Sequence, residues 1–235
     1  MYGKALFWDF DGTLTFSAPL WSRCIAEALS IVTGRTDITA DEIREHTHAR
    51  RIYPWDTPDR DHTKHINEAF WSYVENGFEA AYIACGTDEP TAKKAAALVR
   101  GLILRPENYR VGDDVLPALK TAKILGYRSF ILSNNFPELP QLMEQLGLSM
   151  YFDGCIVSGA EGYDKPRREL FDIATERAGH PDTCIMIGDN PTADVIGGKK
   201  AGMITVLVHR GDESEADYTC LTLDALREIL LKHRS

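Results

Sequence analysis

Hydrophobic positions follow two rhythms along the 235 residues. Five short apolar runs stand apart from the rest: Ala5–Trp8, Phe130–Leu132, Cys155–Val157, Cys184–Ile187 and Ile204–Val208. Their length and β-branched or aromatic content predict buried strands. Between them apolar residues recur at helical spacing, predicting helices near 114–125, 138–146 and 168–178, one running to about Ala201, and a last one from about Leu223. Gly126, Gly147 and Gly179 follow three of these segments, where a left-handed residue commonly ends a helix. Apolar strands alternating with helices signify an α/β fold, a doubly wound parallel sheet covered on both faces.

The first connection breaks this rhythm. A β–α–β crossover needs only a dozen residues or slightly more, yet more than a hundred separate the first run from the second. Residues 17–106 carry only helical patterning. Ser17-Ala18-Pro19 reads as a helix start, Thr39-Ala40-Asp41-Glu42 as a capping box, and Tyr53–Pro58 as a loop. A long helix follows on Phe70, Val74, Phe78 and Tyr82, and another begins near Asp88. The expectation is a core domain, 1–16 and 107–235, interrupted by an all-helical domain, 17–106. Both linkers then lie beside the end of the first strand. The aromatic stripes read as helical core.

Composition narrows the function. The charge sum is 26 − 35 = −9 with a pI near 5.3, which argues against a nucleic-acid surface. An anionic substrate must then be attracted by a few placed cations or a metal ion. No apolar stretch approaches the roughly 18 residues of a membrane span, and Met1–Lys4 leads directly into the first strand without a signal segment. Five scattered cysteines without a CxxC give neither a disulfide framework nor a zinc site. A reducing cytoplasm is the expected compartment.

The chemistry gathers where the apolar runs end. Asp9, Ser133, Ser158 and Asp189 all fall at the carboxyl ends of the expected strands, the edge at which doubly wound sheets bind ligands. Asp9 and Asp11 are one residue apart before Gly12. A structural turn needs only one Asp beside Gly, and in an extended chain residues i and i+2 share a side. Ser133-Asn134-Asn135 precedes a helix expected near Pro137; it suits phosphate at a helix N-terminus and equally an ordinary cap. Lys165 lies in the loop after the third run. Asp189 and Asp194 flank the turn after the fourth, and an acidic cap accounts for only one of them. Carboxylates of Asp9 and Asp189 suit Mg²⁺; Ser133, Asn134 and Lys165 suit the phosphate it would bridge.

Taken together, Asp9-Phe10-Asp11-Gly12-Thr13-Leu14-Thr15, Ser133, Lys165-Pro166 and Gly188-Asp189…Asp194 resemble the four motifs of the haloacid dehalogenase-like hydrolases, in the branch with a helical cap after the first strand of a Rossmann-like core. The resemblance implies an Mg²⁺-dependent phosphatase acting on a small phosphorylated metabolite. Asp9 would attack phosphorus and Asp11 would act as acid and base. The metal would be held by Asp9, Asp189 and the backbone carbonyl of Asp11. Asp194 would sit behind the metal or orient Lys165; the sequence leaves both open. Asp11 argues against the family's dehalogenases, which have Tyr there, and its phosphonatases, which have Ala. The β-phosphoglucomutase-like members remain an alternative, although they usually carry Val where Thr13 stands and a His absent from 17–23 here. A non-catalytic phosphoryl-binding scaffold is a further alternative. In the helical insertion, cations and aromatics concentrate at His46–Trp55; Arg51 is a candidate reader of the leaving group, the alternative being that Arg50 and Arg51 favour the helix C-terminus and Trp55 packs between the helices. The sequence does not state an oligomeric state.

Overall fold

A computed structural model describes residues 3–211 and 215–233. Six strands form one parallel sheet: β1 (Lys4–Trp8), β2 (Arg128–Ser133), β3 (Gly154–Val157), β4 (Thr183–Gly188), β5 (Ile204–Val208) and β6 (Tyr218–Cys220). Their order is β3-β2-β1-β4-β5-β6. The five apolar runs are all strands; the sixth, only three residues long and at the edge, carries no apolar run to announce it. The chain winds outward from β1 to β3, returns to the other side of β1 as β4, and winds outward again. Strand order therefore reverses between β1 and β4, whose carboxyl ends carry Asp9 and Asp189.

Of the helices between β1 and β2, the first four make up the insertion: α1 (Leu20–Thr33), α2 (Ala40–Arg50), α3 (Glu68–Ala84) and α4 (Glu89–Ile103). Helices α1 and α4 pack together, as do α3 and α4, through Cys24, Ile25, Ala28, Val74, Phe78, Tyr82, Ala95 and Val99. Thr39 caps α2 by accepting the Glu42 N–H at 3.2 Å, and Asp88 caps α4 through Thr91. Ser17 does not cap α1. The helix starts at Leu20 after Pro19, and the Ser17 hydroxyl accepts the Arg110 N–H instead. That bond belongs to the paired linkers: Phe16 N–H donates to Arg110 O and Gly112 N–H to Leu14 O, and Thr15 bridges Val111 antiparallel. The outgoing and returning chains thus run side by side to Arg110, a few residues beyond the expected boundary.

The sheet is covered by α5 (Val115–Ile124), α6 (Leu139–Gln145), α8 (Arg168–Arg177) and α10 (Leu226–Lys232), with one turn at α7 (Ser158–Glu161). After Asp189 the chain makes a π-helical stretch, Pro191–Ile196, then α9 (Gly197–Lys200). On one face Phe7, Phe130, Leu170, Phe171 and Met186 form a compact core. On the other, Trp8, Phe10 and Ile131 join the buried residues of the inserted helices in a single cluster. The insertion and sheet are therefore in dry contact. Polar links reinforce it: Trp71 Nε1–H donates to the Glu138 carboxylate at 2.9 Å, and Arg100 bridges Glu68 at 2.8 Å and Glu138. The Asn67 N–H also donates to Gly159 O at 2.9 Å. All five cysteines are free thiols. No helix among the described residues is long and apolar enough to cross a membrane.

Candidate active site

Asp9 is the first residue beyond β1, its N–H still bonded to Ile187 O of β4 at 2.9 Å. Its carboxylate Oδ1 accepts two donors, the Ser133 hydroxyl at 2.8 Å and the Lys165 ammonium at 2.9 Å. Among the described residues Oδ2 has no donor. Lys165 Nζ also meets Asp194 Oδ1 at 2.6 Å, while the other Asp194 oxygen accepts the Asn190 N–H at 2.9 Å. The ammonium is buried. Burial works against its charge, but Asp194 and Asp9 outweigh that and hold it above the usual lysine value. Asp194 thus contacts Lys165 directly, the geometry expected of a residue that orients the lysine.

The chain turns sharply at Asp11. Leu14 N–H and Thr15 N–H both donate to Phe10 O, and Gly12 takes a left-handed φ of 83°. A Cβ at Gly12 would lie 2.6 Å from the Asp189 carboxylate, so the absent side chain is what lets Asp189 approach. The Asp11 carboxyl opens onto a cavity and is held on both oxygens: Thr15 Oγ1–H donates to Oδ1 at 3.2 Å and Asn135 Nδ2–H to Oδ2 at 2.8 Å. Loss of water around the carboxyl, and then the Asp9 charge, push it up to about 6. Those two bonds oppose the shift because they favour the carboxylate. Asp189 is pushed up to about 6 by burial and by Asp9.

Oxygen atoms of Asp9, Asp189 and Asp194 lie within 4.8 Å of one another. This crowding of hard acidic ligands, with the Asp9 charge raising two neighbouring carboxyls, fits a small divalent cation. Asp194 is already bonded on both oxygens, which leaves Asp9 and Asp189 as the side chains free to hold it. Asn134 differs from expectation. Its amide is engaged with the loop that carries Lys165, accepting Lys165 N–H at 2.7 Å and donating to Lys165 O at 3.0 Å. Nor does Ser133-Asn134-Asn135 cap a helix: α6 begins only at Leu139.

The cavity above Asp11 and Asn134 has a volume of about 540 Å³ and is walled by the linker and start of α1, residues 15–22, and by the other inserted segments. Arg51 is not on its wall. It ends α2 in a left-handed conformation, and its exposed guanidinium bonds the Asp56 carbonyl, with Nε at 2.8 Å. The insertion's basic groups that do line the cavity are Arg44 and His48. They stand at i and i+4, so they share a helix face; Arg51, three residues past His48, lies beyond the helical turn that points them inward. Sequence reasoning also missed Thr15 and Asn135, the two donors to Asp11. Asn135 follows a strand-end serine, and Thr15 follows the glycine turn, so their positions were visible although their partner was not.

Comparison with known proteins agrees with this geometry. Residues 4–202 match the family model for haloacid dehalogenase-like hydrolases. The pyrimidine 5'-nucleotidase YjjG of Escherichia coli is 36% identical over 111 residues, 44% of this chain and 49% of that protein. The phosphoserine phosphatase of Thermus thermophilus is 28% identical over 97% of this chain and 98% of its own. The solved HAD phosphatase of Thermococcus onnurineus superposes with a TM-score of 0.67 at 26% identity, covering 97% of each chain. With strand-end acids, Ser133 and Lys165 assembled at the switch point of a parallel sheet, and with a family model spanning most of its length, this chain belongs to the haloacid dehalogenase-like hydrolases.

Proposed function

We propose that the site hydrolyses phosphate monoesters of small metabolites through a phosphorylated Asp9, with Mg²⁺ held by the carboxylates of Asp9 and Asp189 and by the Asp11 carbonyl. The chain is a phosphoric monoester hydrolase, in keeping with its family and its full-length phosphatase relatives. The observation that carries the mechanism is the state of the Asp9 carboxylate. One oxygen is fixed by Ser133 and Lys165 and the other has no donor among the described residues, as a positioned nucleophile requires. When bound, Mg²⁺ neutralises phosphoryl charge and brings the ester close to Asp9.

The rest follows from the side chains. Asp9 attacks phosphorus in line, and the ester oxygen departs with a proton from Asp11, whose carboxyl is held by Thr15 and Asn135 beside the cavity. Asp11, now ionised, takes a proton from the water that cleaves the aspartyl-phosphate, returning Asp9 and inorganic phosphate. Ser133 and the Lys165 ammonium donate to phosphoryl oxygens, where charge accumulates in the transition state. Residues 17–106 act as a cap that excludes bulk water over this step.

The test is turnover of a panel of phosphate esters with added Mg²⁺ and with EDTA. Release of inorganic phosphate that EDTA abolishes and Mg²⁺ restores is the expected result. Full activity in EDTA overturns the metal assignment. Transfer to a second sugar phosphate, with no net phosphate release, overturns hydrolysis in favour of a mutase.

A further inference from the structure

The 540 Å³ cavity is far larger than a phosphoryl group needs, and falls within the range of about 300–1,000 Å³ typical of sites for whole small-molecule ligands. Asp11, Gly12 and Asn134 lie at its phosphoryl end. Its cap wall is rich in donors, although the protein is acidic. Arg44, Thr47 and His48 of α2 line it together with Trp21 and Trp55 of the neighbouring segments.

The Thr47 hydroxyl donates to the Arg44 carbonyl at 3.1 Å, but the charged and indole donors have no hydrogen-bond partner among the described residues. Arg35, Arg100, Arg105, Arg167, Arg168 and Arg177 each pair with a carboxylate. The Arg44 guanidinium has neither a carboxylate nor a hydrogen-bond acceptor among the described residues. Two residues further along α2, the pair Arg50 and His46 makes contact, with 3.4 Å between Nη1 and Nδ1. Arg44 and His48, at the same spacing, make no such bond. The indole N–H groups of Trp21 and Trp55 also have no acceptor among the described residues. The single acid on this wall is Asp56, and one of its carboxylate oxygens already accepts Tyr53 N–H at 3.1 Å. An unpaired guanidinium beside further free donors suits an anion, which an arginine fork can bind bidentately.

We infer that the leaving portion of the natural substrate carries a second anionic group, a carboxylate or a second phosphate, received by Arg44 and His48 of α2. This rests on the phosphatase reading, and it makes Arg44 the specificity-determining cation of the cap in place of Arg51.

Two matched pairs of esters separate the sources. 3-Phosphoglycerate and glycerol 3-phosphate differ by a carboxylate for a hydroxymethyl group; fructose 1,6-bisphosphate and fructose 6-phosphate differ by a phosphate. The wild-type enzyme should favour the anion-bearing member of at least one pair by roughly ten- to a hundred-fold in kcat/KM, the scale of one charge-assisted contact. Arg44→Ala should bring that ratio close to one, and Arg44→Lys should keep part of it. Arg51→Ala should keep it entire. Arg44 is exposed, so its replacement leaves the core alone. The wild-type ratio is in any case informative without a variant. Hydrolysis with no preference in either pair, or a preference that survives Arg44→Ala in a protein with an unchanged melting temperature, overturns the inference and leaves the phosphatase reading standing. No hydrolysis of these esters or of p-nitrophenyl phosphate overturns both.

Discussion

At the residue scale, the site sets three carboxylates against one buried ammonium. Asp9, Asp189 and Asp194 converge, and Lys165 meets two of them. The imbalance has a consequence for stability. Asp11 and Asp189 are both raised to about 6, well above the ordinary carboxylate value of 3.8. A carboxyl with a raised folded value binds more protons folded than unfolded between the two values, so its contribution to stability falls as pH rises from about 4 through 6. A divalent cation competes with those protons. Mg²⁺ should therefore raise the melting temperature more at pH 7.5 than at pH 5, and Asp189→Asn should reduce the increment at pH 7.5. Equal increments at both pH values would contradict binding at these acids. Asp9, Asp11, Ser133, Lys165 and Asp189 were legible in the sequence because a polar residue ending an apolar strand has few structural explanations. Asn134 was not, because its side chain binds the backbone of a loop 31 positions away. Arg51 misled because its spacing from Arg44 and His48 fits their helix face, but the chain leaves the helix there in a left-handed conformation.

At the element scale, the turn after β1 sets how closely the Asp9 and Asp189 carboxylates approach. Gly12 combines a left-handed φ of 83° with the close approach of Asp189. Gly12→Ala should cost about 1–3 kcal/mol in unfolding free energy and raise the Mg²⁺ concentration for half-maximal activity, since the new methyl must push Asp189 aside. Denaturant unfolding and a Mg²⁺ titration read the two effects. A destabilised variant with an unchanged Mg²⁺ requirement would show that the turn supports the fold without placing Asp189. The strands that carry the site were readable from uninterrupted apolar runs. The edge strand β6 was not: it has one buried residue, Cys220, and among the described residues it pairs with β5 alone. Helix starts were less readable still. Pro137 suggested a start that occurs at Leu139, and Ser17, an apparent cap, serves the linker pair instead.

At the scale of the whole molecule, the helical insertion was legible from the missing crossover, but its attachment was not. Paired linkers, a shared apolar cluster and the Glu138 junction depend on contacts across scores of positions. Glu138 takes the Trp71 indole N–H and the Arg100 guanidinium together, from a side chain that is 20% exposed. Replacing it with Ala should cost about 1–3 kcal/mol, because an indole donor loses its acceptor where the cap meets the core. Glu138 is remote from Asp9 in its bonding, so a small ester should lose little in the chemical step while unfolding midpoints fall. A variant as stable as wild type would mean that the apolar cluster alone holds the cap.

The assignment on which the rest depends is Asp9 as the nucleophile, and turnover by Asp9→Asn tests it most directly. The substitution keeps the shape of the side chain, and Lys165 retains Asp194 as its partner, so the protein should melt as a folded molecule. With Mg²⁺ present, phosphate release from p-nitrophenyl phosphate should drop on the order of 10⁶-fold, the scale seen when another hydrolase loses its nucleophile. A folded Asp9→Asn enzyme that keeps a tenth of wild-type turnover would contradict the account.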